Sequence, residues 1–158
     1  MSQRLAKEYR SHEKTLASDK SFSHVVDLSP VSDEDLRSWK ATIEGPPKTP
    51  YEGFEFQLEL KIPQRYPLDP PQVSFLPRST PHCNVDYDTG RICLDILEKD
   101  SWSPAWDLLH VTHAIWLLLA NPVPDSPLDV DLACILRAND TSAYNGLVRY
   151  YLKDESRD

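Results

Sequence analysis

The chain has 158 residues and a net charge of −8, and with 40% apolar and 27% charged residues it has the composition of one globular domain. The acidic balance excludes a general nucleic-acid-binding protein, because phosphate neutralisation needs clustered Lys and Arg. Three cysteines are too few for a disulfide framework or a zinc cage. We expect a single domain over residues 1–158 that holds no metal and no cofactor.

No cleavable signal peptide is expected from the N-terminal residues. They are charged and amphipathic, unlike such a peptide. The longest apolar stretch, residues 114–120, is far shorter than the ~20 residues of a membrane-spanning helix. We therefore expect a cytoplasmic protein of a reducing compartment, without direct membrane insertion, that a protein partner holds at any membrane where it acts.

The first half of the chain predicts one helix and four strands. The helix is marked by apolar residues at helical spacing between Leu5 and Leu16. The strands are marked by alternating polarity, and the third, with five alternations, is the clearest. They lie at residues 24–28, 39–43, 54–62 and 73–75.

The second half opens with an irregular stretch. Residues 76–104 show no period, and nearly thirty residues without regular structure are more often functional than idle in a compact domain. Three helices are predicted after it, the last with Asp140 or Thr141 as N-cap. They lie at residues 108–119, 128–136 and 144–151. This order predicts an α+β domain, an antiparallel meander backed by helices.

Cys93 is the best candidate for a nucleophile. It lies in the irregular stretch, close to Gly90 and between apolar residues that could anchor the loop while the thiol stays accessible. A few per cent of an ordinary thiol is thiolate at neutral pH, which is already nucleophilic. On this context alone, the alternative is that Cys93 is a small buried hydrophobic residue, as most cytosolic cysteines are.

Six motifs in series resemble those of ubiquitin-conjugating enzymes. They are the turns of 45–53, the proline-rich segment 63–75, His82-Cys83-Asn84, the segment 92–97 around Cys93, Trp-Ser-Pro-Ala at 102–105, and 125–131. The resemblance covers almost the whole chain, in order and at compatible spacing. A narrower one, carried by Cys83 and by residues 106–110, 126–131 and 141–144, is to the peroxisomal ubiquitin-conjugating peroxins of yeasts.

The resemblance implies a reaction. Members of the family accept ubiquitin as a thioester from an activating enzyme, which consumes ATP, and pass it with a RING ligase to an acceptor lysine. Cys93 is the matching thiol. The peroxisomal resemblance implies an import receptor as substrate, a membrane-anchored peroxin as docking partner, and recruitment from the cytoplasm to the cytosolic face of the peroxisomal membrane.

Four other residues match catalytic positions of the family. Asn84 either stabilises an oxyanion or braces the loop, and His82 is expected to pin the turn. Asp95 follows the thiol, and Asp125 and Ser126 match the gate beside it. The alternative for this last pair is that it caps the next helix. The sequence does not determine the position of the Asn84 amide, for two reasons. Cys83 replaces a proline of the family, and the interval from Asn84 to Cys93 is one residue longer than usual.

Three surfaces follow from the same resemblance. Arg4 and Lys7 match the basic face that meets the activating enzyme, or form an ordinary solvated helix face. Leu68, Pro104 and Ala105 match positions that meet a RING domain. The last helix is the candidate docking surface for the membrane partner, with Arg149 and Tyr150 as its predicted contacts. The alternative is that its apolar stripe (Tyr144, Leu147, Val148 and Tyr151) belongs to the core.

Three other functions remain as alternatives. A non-catalytic adaptor of the same fold would lack the nucleophile, which this chain has. An enzyme carrying a ubiquitin-like modifier would have the same motifs. A redox protein could pair Cys83 with Cys93, although the two lack the Cys-x-x-Cys spacing typical of that class.

Overall fold

The computed structural model describes residues 2–155 and has four α-helices around one four-stranded sheet. The predicted domain ends at residues 1 and 158 lie outside the described residues. The helices are α1 (Ser2–Ser18), α2 (Leu108–Ala120), α3 (Val130–Arg137) and α4 (Thr141–Glu155), and the strands are β1 (Val25–Ser32), β2 (Asp35–Glu44), β3 (Glu55–Lys61) and β4 (Gln72–Phe75). Within residues 2–155, no helix is long and apolar enough to cross a bilayer. The predicted α+β class is confirmed.

The sheet is an antiparallel meander in the order β1-β2-β3-β4. Side chains of β3 alternate between buried and exposed, as period-2 patterning requires for a sheet with one covered face. Its buried residues lie opposite buried residues of β2, in the pairs Trp39↔Leu60, Ala41↔Leu58 and Ile43↔Phe56. This face carries much of the core, and the alternation is why the third strand was the clearest in the sequence.

Strand β1 is longer than predicted. It runs four residues beyond Leu28, to Ser32, and Ser32 still pairs with Asp35 of β2. A proline in the middle of a strand usually argues against that strand, because it cannot donate to the ladder. Pro30 is tolerated because β1 is an edge strand, where one side of the backbone needs no partner.

The helices cover the sheet and each other. Helices α1 and α2 contact β1 and β2, and α3 packs against α4. Helix α3 begins at Val130, two residues later than predicted, because Asp129 is its N-cap and accepts a 3.0 Å hydrogen bond from the N–H of Leu132. The alternative that Asp125 and Ser126 cap this helix is therefore wrong. Asp140 caps α4 by accepting from the N–H of Ala143, as predicted.

The stretch between β4 and α2 is irregular, as predicted. Its regular structure is limited to one short 3-10 turn, Asp95–Leu97, and two isolated bridges, Ser74↔Arg91 and Val85↔Ile92. The first bridge attaches the segment that contains Cys93 to β4 at the edge of the sheet, and the second closes the irregular stretch on itself.

Candidate active site

Backbone hydrogen bonds hold Cys93 at the end of an irregular hairpin. The N–H of Cys93 donates to the carbonyl of Asn84 at 2.8 Å, and Val85 pairs with Ile92. Inside this pair, the N–H of Asp86 donates to Arg91 O at 2.8 Å. The long interval between Asn84 and Cys93 is thus absorbed in the turn at 86–91, and the two residues keep a direct backbone contact.

Gly90 fits this turn tightly against the sheet. Its φ is +80°, and a Cβ built on it would lie 2.0 Å from the carbonyl oxygen of Phe75 in β4. The backbone N–H of Phe75 also donates to the carbonyl oxygen of Gly90 at 2.9 Å. Only glycine combines this left-handed backbone with such a close approach, so the hairpin is placed relative to β4 by a glycine.

Cys93 is accessible while its neighbour is anchored. The thiol residue is half-buried, whereas Ile92 is buried in the core and Leu94 packs against it. The segment is therefore fixed by its apolar residues while Cys93 stays partly exposed to solvent. This is the arrangement expected of a nucleophile that must meet large partners.

Cys83 has the opposite surroundings. Its side chain is completely buried, and burial raises the pKa of its thiol to about 11. The thiol is protonated at neutral pH and donates to the Asn84 side-chain oxygen at 3.3 Å. The third cysteine, Cys134, is exposed on α3. All three are free thiols, so Cys83 and Cys93 form no disulfide in this structure.

His82 pins the turn before Asn84, as its position suggested. It is fully buried, with Nε2 2.9 Å from the carbonyl of Leu118 and Nδ1 accepting the N–H of Asn84 at 3.0 Å. A carbonyl only accepts, so Nε2 carries the proton and the ring is neutral. Burial lowers the pKa of His82 to about 4, although the Leu118 carbonyl favours the charged form.

The side chain of Asn84 is fully occupied. Its Nδ2 donates to the carbonyls of Val123 and Ser126, at 2.8 and 2.9 Å. Its Oδ1 accepts the N–H of Val123 at 2.8 Å and the thiol of Cys83. Both amide protons are used, so donation to an oxyanion would require one of these carbonyls to be released. The geometry favours the bracing role over the oxyanion role.

The predicted acidic residues lie on the surface around the braced loop. Asp125 is exposed, with Oδ1 3.9 Å from Nε of Arg137. The Nη2 of the same Arg137 donates to the carbonyl of Pro124 at 2.7 Å. Ser126 contributes its backbone carbonyl to the Asn84 amide, and its side chain is exposed. Asp95 is exposed at the start of the 3-10 turn that follows the thiol. Asn84 therefore joins residues 123–126, the gate segment, to the hairpin that ends at Cys93.

Two buried tyrosines support the same turn and were missed in the sequence. The hydroxyl of Tyr51 donates to Pro81 O at 2.7 Å and lies 3.1 Å from the hydroxyl of Tyr144 on α4. The carbonyl of Cys83 accepts the N–H groups of Leu128 and Asp129, at 2.8 and 3.0 Å. No pattern in the turn 45–53 predicts that Tyr51 contacts Pro81 and Tyr144, which lie 30 and 93 residues further along the chain.

Comparison with known proteins agrees with this geometry. The family model described as "Ubiquitin-conjugating enzyme" matches residues 4–152. The chain belongs to the ubiquitin-conjugating enzyme family. It is 46% identical to "Ubiquitin-conjugating enzyme E2-21 kDa" of Saccharomyces cerevisiae over 159 residues, covering 98% of this chain and 87% of that protein. It is 44% identical to "Protein PEROXIN-4" of Arabidopsis thaliana over 150 residues, covering 95% of this chain and 91% of that protein.

A solved structure is similar over nearly the whole chain. The ubiquitin-conjugating enzyme Pex4p of H. polymorpha, crystallised in complex with the soluble domain of Pex22p, matches with a TM-score of 0.90 and 41% identity over 96% of each chain. The predicted family, the enzyme class and the resemblance to peroxisomal members are confirmed. The adaptor alternative is excluded, since the relatives are named as conjugating enzymes.

The basic face of this ubiquitin-conjugating enzyme differs from the prediction at Arg4. Its Nε donates to Glu8 at 2.7 Å, and its guanidinium also donates to the carbonyls of Pro104 and Trp106, at 3.2 and 3.0 Å. Arg4 is therefore engaged within the molecule. Lys7 is exposed, and Arg10 and Lys14 are exposed at helical spacing from it. The free basic stripe is formed by these three residues.

The three predicted ligase contacts are all exposed, on two segments that are tied together. Leu68 is 63% exposed, and Pro104 and Ala105 are exposed as well. The indole N–H of Trp102 donates to Pro67 O at 2.8 Å, which joins the two segments. Trp102 itself is buried, so it anchors the loop rather than forming part of the surface.

Helix α4 is divided between core and surface. Tyr144 and Val148 are buried, so the predicted apolar stripe is largely core, as its alternative interpretation held. Arg149 is exposed and Tyr150 is 62% exposed. The neighbouring Tyr151 packs against Tyr87 of the hairpin turn, with ring centroids 5.7 Å apart. The exposed face of α4 therefore adjoins the segment that holds Cys93.

Proposed function

We propose that this ubiquitin-conjugating enzyme carries ubiquitin on Cys93 and works with a RING ligase at the peroxisomal membrane. The observation that carries the choice of thiol is the contrast in burial: Cys93 is accessible in an anchored segment, and Cys83 is enclosed. The peroxisomal setting is supported by relatives named peroxin-4 that align over nearly the whole chain.

The proposed reaction has two acyl transfers. The sulfur of Cys93 attacks the thioester that joins ubiquitin to the activating enzyme, a new C–S bond forms, and the activating enzyme's thiol leaves. An acceptor amine then attacks the Cys93 thioester, and the Cys93 thiolate leaves as the amide forms. ATP is used by the activating enzyme upstream, and the proposal gives this chain no bound cofactor.

The residues around the thiol have supporting roles in this proposal. Asn84 keeps the gate segment and the hairpin of Cys93 in register: its side chain is bonded to Val123 and Ser126, and its carbonyl accepts the N–H of Cys93. The carboxylates of Asp95 and Asp125 are exposed and available to take a proton from the incoming amine. Ser126 stands where many members have an acid, so the proposed base function lies with the two aspartates.

The proposed partners occupy separate surfaces. The acidic ubiquitin-fold domain of the activating enzyme meets the stripe of Lys7, Arg10 and Lys14. The RING ligase meets Leu68, Pro104 and Ala105. The acceptor is a peroxisomal import receptor, and a membrane-anchored peroxin binds the exposed face of α4 at Arg149 and Tyr150, as an aromatic residue with a polar tip is well suited to an interface.

The test of the chemistry is a charging assay. Purified protein is incubated with activating enzyme, ATP and a panel of modifiers, and adducts are separated on non-reducing gels. We expect a reducible adduct with ubiquitin, none with Cys93→Ala, and an adduct that resists thiol for Cys93→Ser, because an oxyester is less reactive. Cys134→Ser is the matched control. Charging of Cys93→Ala, or charging only with another modifier, would overturn the proposal.

The test of the docking surface is a binding measurement. Calorimetry with the soluble domain of the membrane peroxin compares the wild type with the double variant Arg149→Ala, Tyr150→Ala. We expect a loss of about tenfold or more, since an exposed aromatic and an Arg are frequent interface anchors. Val130→Ala, at an exposed apolar residue of α3, is the control. Unchanged affinity of the double variant would place the partner elsewhere.

A further inference from the structure

A buried carboxylate lies behind the surface that we assign to the ligase. Glu8 of α1 is 5% exposed, and its two oxygens accept three hydrogen bonds. The donors are Nε of Arg4 at 2.7 Å, the hydroxyl of Tyr66 at 2.6 Å and the backbone N–H of Leu108 at 3.1 Å. These donors belong to three regions of the chain that are far apart in sequence.

Two of these regions lead directly to the exposed ligase residues. Tyr66 is two residues before Leu68. Leu108 is the first residue of α2 and follows the segment of Pro104 and Ala105. Arg4 strengthens the second link, because the same guanidinium that meets Glu8 donates to Pro104 O and Trp106 O. Glu8 therefore fixes both segments to one helix, in addition to their direct contact through Trp102.

The fourth neighbour of Glu8 does not replace these bonds. The ring nitrogen Nε2 of His12 lies 4.0 Å from Glu8 Oε2 and 3.6 Å from Asp107 Oδ2. Neither ring nitrogen of His12 has a hydrogen-bond partner among residues 2–155, although the ring is buried. The hydrogen bonds of Glu8 therefore all come from the two ligase segments and from Arg4, which is bonded to one of them.

We propose that Glu8 is a positioning residue for ligase-stimulated transfer, whose buried carboxylate sets the relative placement of Leu68 and of Pro104-Ala105. Glu8 does not touch the ligase or the thioester; it acts through the segments that it holds. This inference rests on the proposed function. It assigns to α1 a role in ligase binding that is separate from its exposed basic stripe on the opposite, solvent-facing side.

Glu8→Gln tests the proposal with nearly unchanged shape. An amide has one acceptor oxygen, so its NH2 group must face either the N–H of Leu108 or the Tyr66 and Arg4 donors. In the first orientation the bond to Leu108 becomes a repulsive contact between two donors. In the second the NH2 group meets the obligatory donor Arg4, and the Tyr66 hydroxyl must turn round to accept from it. Glu13→Gln, at an exposed glutamate of the same helix, is the matched control, and Leu68→Ala serves as the reference for a direct contact.

The measurement is discharge of the ubiquitin thioester to free lysine, without ligase and over a titration of a RING domain chosen because it stimulates the wild type. We expect Glu8→Gln to raise the half-saturating RING concentration about tenfold, a change of one decade in affinity, while ligase-free discharge stays within about twofold. Tyr66→Phe, which removes one hydroxyl, should raise it about fivefold, as for the loss of one ordinary hydrogen bond. Glu13→Gln should change neither value.

The outcomes distinguish failure of the proposed function from failure of the inference about Glu8. A wild type that is not charged, or that no RING domain stimulates, refutes the proposed function itself. Equal losses of ligase-free and stimulated discharge in Glu8→Gln would mean a general structural role and overturn the inference, as would an unchanged half-saturating concentration. If Glu8→Gln does not fold, Tyr66→Phe decides. A double variant with Leu68→Ala should lose less than the sum of the single losses, because both act on one segment.

Discussion

Cys83 and Cys93 lie ten residues apart on the same irregular stretch, yet their surroundings are opposite. The segment of Cys83 is enclosed: His82, Cys83 and Asn84 are all buried, and their polar groups are bonded to α2, to the gate segment and to each other. The segment of Cys93 is fixed through its backbone and through Ile92, and Cys93 itself is partly exposed. One loop thus contains an enclosed, hydrogen-bonded support and a partly exposed thiol, which is the one that we propose carries ubiquitin.

The largest expected difference between the two is in thiol reactivity. With a pKa of about 11, roughly one Cys83 thiol in a thousand is ionised at pH 8, and the side chain is enclosed as well. We expect alkylation by iodoacetamide to modify Cys93 at least ~10²-fold faster than Cys83. Peptide mass spectrometry over a time course measures both rates in the same sample. Exposed Cys134 serves as the internal reference, and comparable rates at Cys83 and Cys93 would refute the contrast.

Asn84 joins the two regions, so its removal should affect the support first. Asn84→Ala leaves the carbonyls of Val123 and Ser126 and the N–H of Val123 without their partner. We expect the free energy of unfolding to fall by about 3 kcal/mol, because several partly buried backbone groups lose their hydrogen-bond partner at once. Urea denaturation measures it, and charging with ubiquitin should remain. Discharge slowed ~10²-fold at unchanged stability would instead support the oxyanion role.

His82 makes the enclosed segment sensitive to acid. Its folded pKa of about 4 lies below the ordinary value of 6.5, so the fold favours the neutral ring. The stabilisation is therefore complete above pH 6.5 and is lost as pH falls toward 4. Between pH 7.5 and 5 we expect His82 to cost about 2 kcal/mol of stability, from 1.36 kcal/mol per pKa unit. An NMR titration of the His82 ring in folded protein measures the pKa, with urea-unfolded protein as reference, and a midpoint near 6.5 in the folded state would contradict it.

The smallest expected effect comes from restoring the family's proline at position 83. Cys83→Pro narrows the unfolded ensemble but removes an N–H and a thiol that bonds Asn84. We expect stability within about 1 kcal/mol of the wild type and normal charging. Thermal unfolding of Cys83→Pro and Cys83→Ala separates loss of the thiol from the effect of the ring. A loss well beyond that of Cys83→Ala would show that the backbone N–H is needed.

The fold could be predicted from the sequence, and Cys93 could be singled out as the candidate thiol, because both depend on local patterns. Alternation in β3, helical spacing in α2 and the motif around Cys93 each lie within a few adjacent residues. The roles of Arg4 and Asn84 could not be derived in the same way. The sequence around Arg4 indicates only that it is one charge of a basic helix face. Its hydrogen bonds to Pro104 and Trp106 could not be predicted, because they join residues about a hundred positions apart. The choice between bracing and oxyanion roles for Asn84 depends on carbonyls of a segment 39 and 42 residues away.

The exposed stripe of Lys7, Arg10 and Lys14 has a consequence for the rate of encounter. The molecule as a whole carries a net charge of −8, so this helix face is a positive region on a negative body. Such an uneven distribution turns an approaching acidic domain toward α1 and repels it from other faces, which raises the association rate more than the final affinity. Arg4 adds little to this positive potential, because its charge is paired with the carboxylate of Glu8. The stripe therefore acts at a distance and loses its influence as ionic strength rises, whereas the bonds of Arg4 and Glu8 are partly shielded from salt by burial.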